Sequence, residues 1–166
     1  MKTLTSSLAV AAAMLWNVSA HAAGASRIGN DYYEDIFPEQ SCNFTFCSAQ
    51  SSSVTPAGVY LRMQHFYCRI TTNSTSSLLD TLDLQIWTGP QGQGGNAVLG
   101  NLVKSVALSF SQPVSNGGSN YYNIDHDILL ATGPGRIIVI GAGFTASTGI
   151  TMDCSITGNL IPPPAQ

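Results

Sequence analysis

The densest group of side chains able to do chemistry is Asn123-Ile124-Asp125-His126-Asp127. Asp125 and Asp127, two residues apart, share one face of an extended chain, and in a loop their carboxylates could converge with the imidazole on a cation. Ca2+ is the ion such carboxylates would take, although two are few for it and the EF-hand spacing is absent. Zinc has less to hold it, because no second His or Cys neighbours His126. The plainer alternative is a solvated turn in which Asx side chains bond the local backbone. No cofactor beyond that possible Ca2+ is expected.

Catalytic groupings are otherwise missing from the sequence. There is no G-x-S-x-G elbow, and the glycine-rich run Gly89–Gly95 lacks the Lys-Ser/Thr of a phosphate loop. Asp80, Asp83, Asp125, Asp127 and Asp153 could supply the facing carboxylates of a glycosidase, but spacing alone brings no pair together. His65, in the middle of a strand-like run, reads as a structural imidazole. The chain is expected to bind rather than catalyse, with a small secreted hydrolase as the weaker alternative.

Aromatic and amide side chains point to binding. Trp87 has the parity of Asp83 and Gln85, the polar side of its strand, and precedes a glycine-rich loop that carries Gln91, Gln93 and Asn96. Tyr121 and Tyr122 follow the turn Asn116-Gly117-Gly118-Ser119-Asn120. Aromatic area beside directional amides is what recognition of a glycan or peptide needs. These six residues are the candidate binding set, with the two loops, Trp87–Asn96 and Asn116–Asp127, expected to act together.

The elements that must position them are strands. Gly58–Thr72, GVYLRMQHFYCRITT, is the longest run without a breaker. Val59, Leu61 and Met63 form its first apolar set and Phe66, Cys68 and Ile70 the second, with opposite parity. The buried face therefore changes side near Gln64–His65, which predicts a bulge or a bend there. Leu78–Trp87 and Leu102–Phe110 alternate too, with Lys104 interrupting the apolar side of the second. Ile137–Thr145 is apolar on both faces, as in a central strand. Tyr121–Leu130 is the least regular segment. Six or more such runs, frequent turn residues and no amphipathic helix predict an all-β fold: a single antiparallel β-sandwich, jelly-roll-like, stapled by disulfides.

The start of the chain, MKTLTSSLAVAAAMLWNVSAHAAG, reads as a signal peptide. Lys2 is its n-region, Leu4–Val18 its apolar stretch, and Ala20-His21-Ala22 an A-x-A cleavage site. The expected organisation is a signal peptide at 1–22, an N-terminal arm at 23–41, a sandwich domain at 42–158 and a proline-rich tail at 159–166. In the arm, Tyr32, Tyr33, Ile36 and Phe37 could line one helical turn or lie against the domain. Four cysteines, Cys42, Cys47, Cys68 and Cys154, follow the signal, an even number suited to an oxidising compartment. Three pairings are open. The favoured one joins Cys42 to Cys47 and Cys68 to Cys154, contributing about 2 and about 4–5 kcal/mol by loop entropy.

Charged residues are only 9% of the chain, and its net charge is −3, one unit more negative once Lys2 is removed. That leaves no basic footprint for nucleic acid or for an anionic membrane. The sequence thus describes an exported module, secreted, periplasmic or on the cell surface, with no membrane insertion after cleavage. Its expected partner is a surface glycan or protein. The alternative is a structural or accessory subunit of a cell-surface assembly, held through its arm or an exposed edge strand.

Overall fold

The computed structural model describes residues 24–28, 32–52, 55–89 and 99–163. The expected signal peptide lies outside the described residues, as do Gln91, Gln93 and Asn96. Among the described residues all the elements are strands: β1 (Gly24–Ile28), β2 (Tyr32–Ile36), β3 (Gln40–Cys42), β4 (Phe46–Gln50), β5 (Tyr60–Thr72), β6 (Leu79–Thr88), β7 (Leu102–Ala107), β8 (Val114–Asn116), β9 (Ser119–Thr132), β10 (Arg136–Phe144) and β11 (Ile150–Ile161). They form two packed antiparallel sheets. The larger runs β1-β2-β11-β5-β9-β8, with β3 also on β11, and the smaller runs β4-β10-β6-β7. Setting aside β1, β3 and β8 and renumbering the other strands from 1 in chain order gives 1-8-3-6 in one sheet and 2-7-4-5 in the other. That nested order is a jelly roll.

β5 lies at the centre of the larger sheet, between β11 and β9. Its inward side chains are Leu61 and Met63, then Phe66, Cys68 and Ile70, all fully buried. The parity change expected near Gln64–His65 is a bulge: the register on both neighbours shifts between Met63 and His65. On β11, Gly158 stands opposite Met63, and a Cβ there would collide with the Arg62 carbonyl. The glycine is what lets the bulged backbone come close. β10 sits between β4 and β6 with Ile137, Ile138, Val139 and Ile140 buried, so its two apolar faces fit a central strand.

Tyr121–Leu130, irregular by sequence, belongs to the longest strand, β9. Asn120, Tyr122, Ile124, His126, Ile128 and Leu130 hold its inward parity, and the polar Asn120 and His126 hide the alternation. Asn120 is fully buried because its amide donates to the carbonyls of Thr75 and Ser77 at 3.2 and 3.1 Å. The segment 23–41 contains no helical turn among its described residues. β2 pairs with β11, so Tyr33 points into the core while Tyr32 faces out. At the other end β11 runs on to Ile161, through the start of the expected tail.

Both favoured disulfides are present, as in a chain that folds in an oxidising environment. Cys68 and Cys154 are direct cross-strand neighbours on β5 and β11, buried in the core. Cys42–Cys47 joins β3 of the larger sheet to β4 of the smaller one. On the same side, the buried Asp35 accepts from the Tyr33 hydroxyl at 3.0 Å and from the Ser52 hydroxyl at 2.6 Å.

Candidate functional site: the outer face of the larger sheet

The parity that buries Phe66, Cys68 and Ile70 sends His65, Tyr67 and Arg69 to the solvent side of β5. Registration brings β9 alongside, with His65 opposite Asp127, Tyr67 opposite Asp125 and Arg69 opposite Asn123. From β11, Thr157, Ser155 and Asp153 stand opposite the same three residues. The result is an outward polar lattice across three long strands.

Within it, His65 lies between the two carboxylates. Its Nε2 is 3.2 Å from Asp125 Oδ1 and its Nδ1 is 3.2 Å from Asp127 Oδ1. A neutral imidazole has one N–H and can donate to only one of them, whereas the protonated ring donates to both. Next to this group the Arg69 guanidinium meets Asp153 Oδ2 at 3.2 Å. Tyr67, 36% exposed, lies between the two clusters, and Tyr121, 40% exposed, lies further along β9. All these groups are on rigid strands, so a ligand would meet donors and acceptors already oriented.

The candidates read from sequence divide unevenly over this geometry. Asp125 and Asp127 do share one face, but the ring between them is His65 of β5; His126 turns to the other face and meets the Ser109 carbonyl. The carboxylates are directed at the imidazole, and among the described residues no cluster of three or more His, Cys, Asp or Glu is arranged to hold a metal. Tyr121 is on the outer face. Tyr122 is not: it is buried, its hydroxyl accepts the Leu79 N–H at 2.8 Å, and its ring stands edge-on to Phe110. One residue of parity separates a surface tyrosine from a core one.

Trp87 is half-buried on the outside of the smaller sheet, and its indole N–H donates to Gln85 Oε1 at 3.0 Å. It pairs with Ile137 at the end of β6 that leads into the glycine-rich loop. Tyr122 bonds the opposite end of that strand, at Leu79. Eight residues of extended chain, about 26 Å, separate the two ends, so Trp87 and Tyr121 do not form one site. The surface on the larger sheet escapes sequence reasoning as a unit because cross-strand register is not written in either strand alone. Its local signals are the parity of β5 after Gln64 and the pairing of Asp125 with Asp127 on one face.

No protein-family model matches the sequence, and no curated protein matches it significantly.

Proposed function

We propose that the chain is an exported binding module that recognises a cell-surface glycan on the outer face of the larger sheet. The supporting observation is the lattice itself: His65 with Asp125 and Asp127, and Arg69 with Asp153, set around the exposed ring of Tyr67. Carboxylates, guanidinium and imidazole offer directional hydrogen bonds to vicinal hydroxyls, and the tyrosine supplies stacking area. Export is supported by the signal-like residues 1–22 and the two disulfides.

The test is calorimetric titration of the mature, oxidised protein with soluble bacterial and plant polysaccharides, followed by the variants Tyr67→Ala and Arg69→Ala. Each should weaken binding at least tenfold while the thermal midpoint stays within about 2 °C, because both side chains are exposed. Binding that survives both changes and disappears with Trp87→Ala would move the site to the smaller sheet and overturn the proposal.

A further inference from the structure

The two sheets do not close against each other along the side where β7 and β9 form their borders. Among the described residues β7 is the last strand of the smaller sheet and pairs with β6 alone. On the larger sheet β8 covers just Ser119–Tyr121 of β9, and among the described residues no strand pairs with that edge beyond Tyr121. The connection after β7 crosses the gap once: Leu108 N–H bonds the Leu82 carbonyl, the Ser109 carbonyl meets His126, and Phe110 packs on Tyr122. Past that crossing a cleft of about 240 Å³ remains. Leu84, Val106 and Leu108 line one wall and Ile128 and Leu130 the other, with Lys104 also on the lining. Leu129, 82% exposed, stands at its rim, and the exposed Leu102 and Val103 continue the apolar surface along β7.

The backbone of β7 specifies what could complete this edge. The bond from Leu108 N–H to the Leu82 carbonyl lies in the register that pairs Leu84 with Val106 and Ile86 with Lys104. By antiparallel alternation Val106 and Lys104 take the β6 side, while Ser105 and Ala107 turn their N–H and C=O groups outward. The side chains of Lys104 and Val106 share the parity of the inward Ile86 and Leu84, so they face the cleft. Among the described residues an apolar cleft, a backbone edge that pairs with no strand, and one cation that makes no ion pair occur together.

We infer that this edge docks an extended segment of a partner protein by strand addition to β7. Its alternate apolar side chains enter the cleft and a carboxylate on the same face meets Lys104. A free edge gives main-chain hydrogen bonds and the cleft gives side-chain selection, the two requirements of this mode of recognition. A second copy of the chain fits less well. Antiparallel pairing of β7 with β7 about its middle would bring the two Lys104 side chains close together, and like charges oppose that pairing. A lipid tail would fill the cleft but leave the backbone edge unused.

The test uses the full mature protein, labelled with 15N, and a capped synthetic peptide of about nine residues in which Val alternates with Thr and the central Val is replaced by Glu. The peptide should slow amide exchange at Ser105 and Ala107 at least tenfold and shift the methyl resonances of Val106 and Leu130. Lys104→Glu should weaken its binding at least tenfold, and a peptide carrying Lys in place of Glu should restore it; Lys104 is exposed, so the variant folds. The proposal is overturned if β7 gains no protection. It is equally overturned if Lys104→Glu and the charge-swapped peptide make no difference, if the free protein sediments as a dimer that Lys104→Glu dissolves, or if decanoate occupies the cleft and the peptide does not.

Discussion

The two sides of the sandwich are built differently. On the side of β2, β3 and β4 the sheets are tied together repeatedly. Cys42–Cys47 joins β3 to β4, and the Asp35 carboxyl of β2, which also takes the Tyr33 hydroxyl, reaches across to the Ser52 hydroxyl just after β4. On the side of β7 and β9 the described ties are one crossing of chain, one edge-on aromatic pair and the bond from the Leu79 N–H to the Tyr122 hydroxyl, with no covalent link. Buried polar groups and a covalent staple fix the first side, while the second keeps an apolar cleft and a strand edge that no described strand pairs with. The less tied side is where an added strand would have room.

That contrast can be broken most forcefully at Asp35. Asp35→Ala would leave the buried Tyr33 hydroxyl without this acceptor and detach Ser52, with a loss of about 2–3 kcal/mol. For a domain of this size that is a fall in thermal midpoint of roughly 4–12 °C, read by calorimetry. A midpoint unchanged by the substitution would mean that the closed side is not held by its polar network.

Next comes the staple. Replacing Cys42 and Cys47 together by Ala opens a loop with a sequence separation of 5, worth about 2 kcal/mol by loop entropy. Replacing Cys68 and Cys154 instead opens one with a separation of 86, worth about 4–5 kcal/mol, but that bridge lies in the middle of the larger sheet and serves both sides. The informative readout for Cys42–Cys47 is therefore local: faster amide exchange in β3 and β4, with β5 unchanged. On the open side, Phe110→Ala removes the edge-on contact with Tyr122 and should cost about 1–2 kcal/mol, less than Asp35→Ala, because Phe110 is only half-buried. Equal losses at Asp35 and Phe110 would erase the distinction between the sides.

Much of this architecture is legible in the order of the residues. The change of parity at Gln64 points to a bulge or a bend because the apolar residues on either side of it are unambiguous, and the doubly apolar Ile137–Thr145 suits a strand with neighbours on both edges; the structure has the bulge and the central strand. The favoured cysteine pairing is the one present, although the sequence leaves three open: the strand neighbours that make Cys68 and Cys154 adjacent are seen only in the sheet. The site is harder. Asp125 and Asp127 are visible as a pair, yet their partner His65 lies 60 residues or more away in sequence and depends on register with a bulge in it. Tyr121 and Tyr122 look alike in sequence, and the alternation through Ile124, Ile128 and Leu130 that turns Tyr122 inward is masked by the polar Asn120, whose burial is explained by tertiary amide bonds, and by His126. Polar residues on an inward face are where alternation fails as a guide, because their burial is decided by partners far along the chain.

The smallest effect discriminates best between the two sides. In β7 the alternation set by the bond from Leu108 N–H to the Leu82 carbonyl leaves Ser105 and Ala107 with amides that face away from β6. Such amides need no opening of the structure to exchange, so their protection should be close to that of an unfolded chain. Lys104 and Val106, one residue away on the same strand and bonded to β6, should be protected at least tenfold more. In β2, which is paired on both edges, by β1 and by β11, no such alternation is expected. Hydrogen exchange followed by NMR at neutral pH would show a two-residue period in β7 and uniform protection in β2. Uniform protection along β7 would mean that its outer edge is already covered in the isolated protein, and the open side would then be closed by a segment of the chain itself.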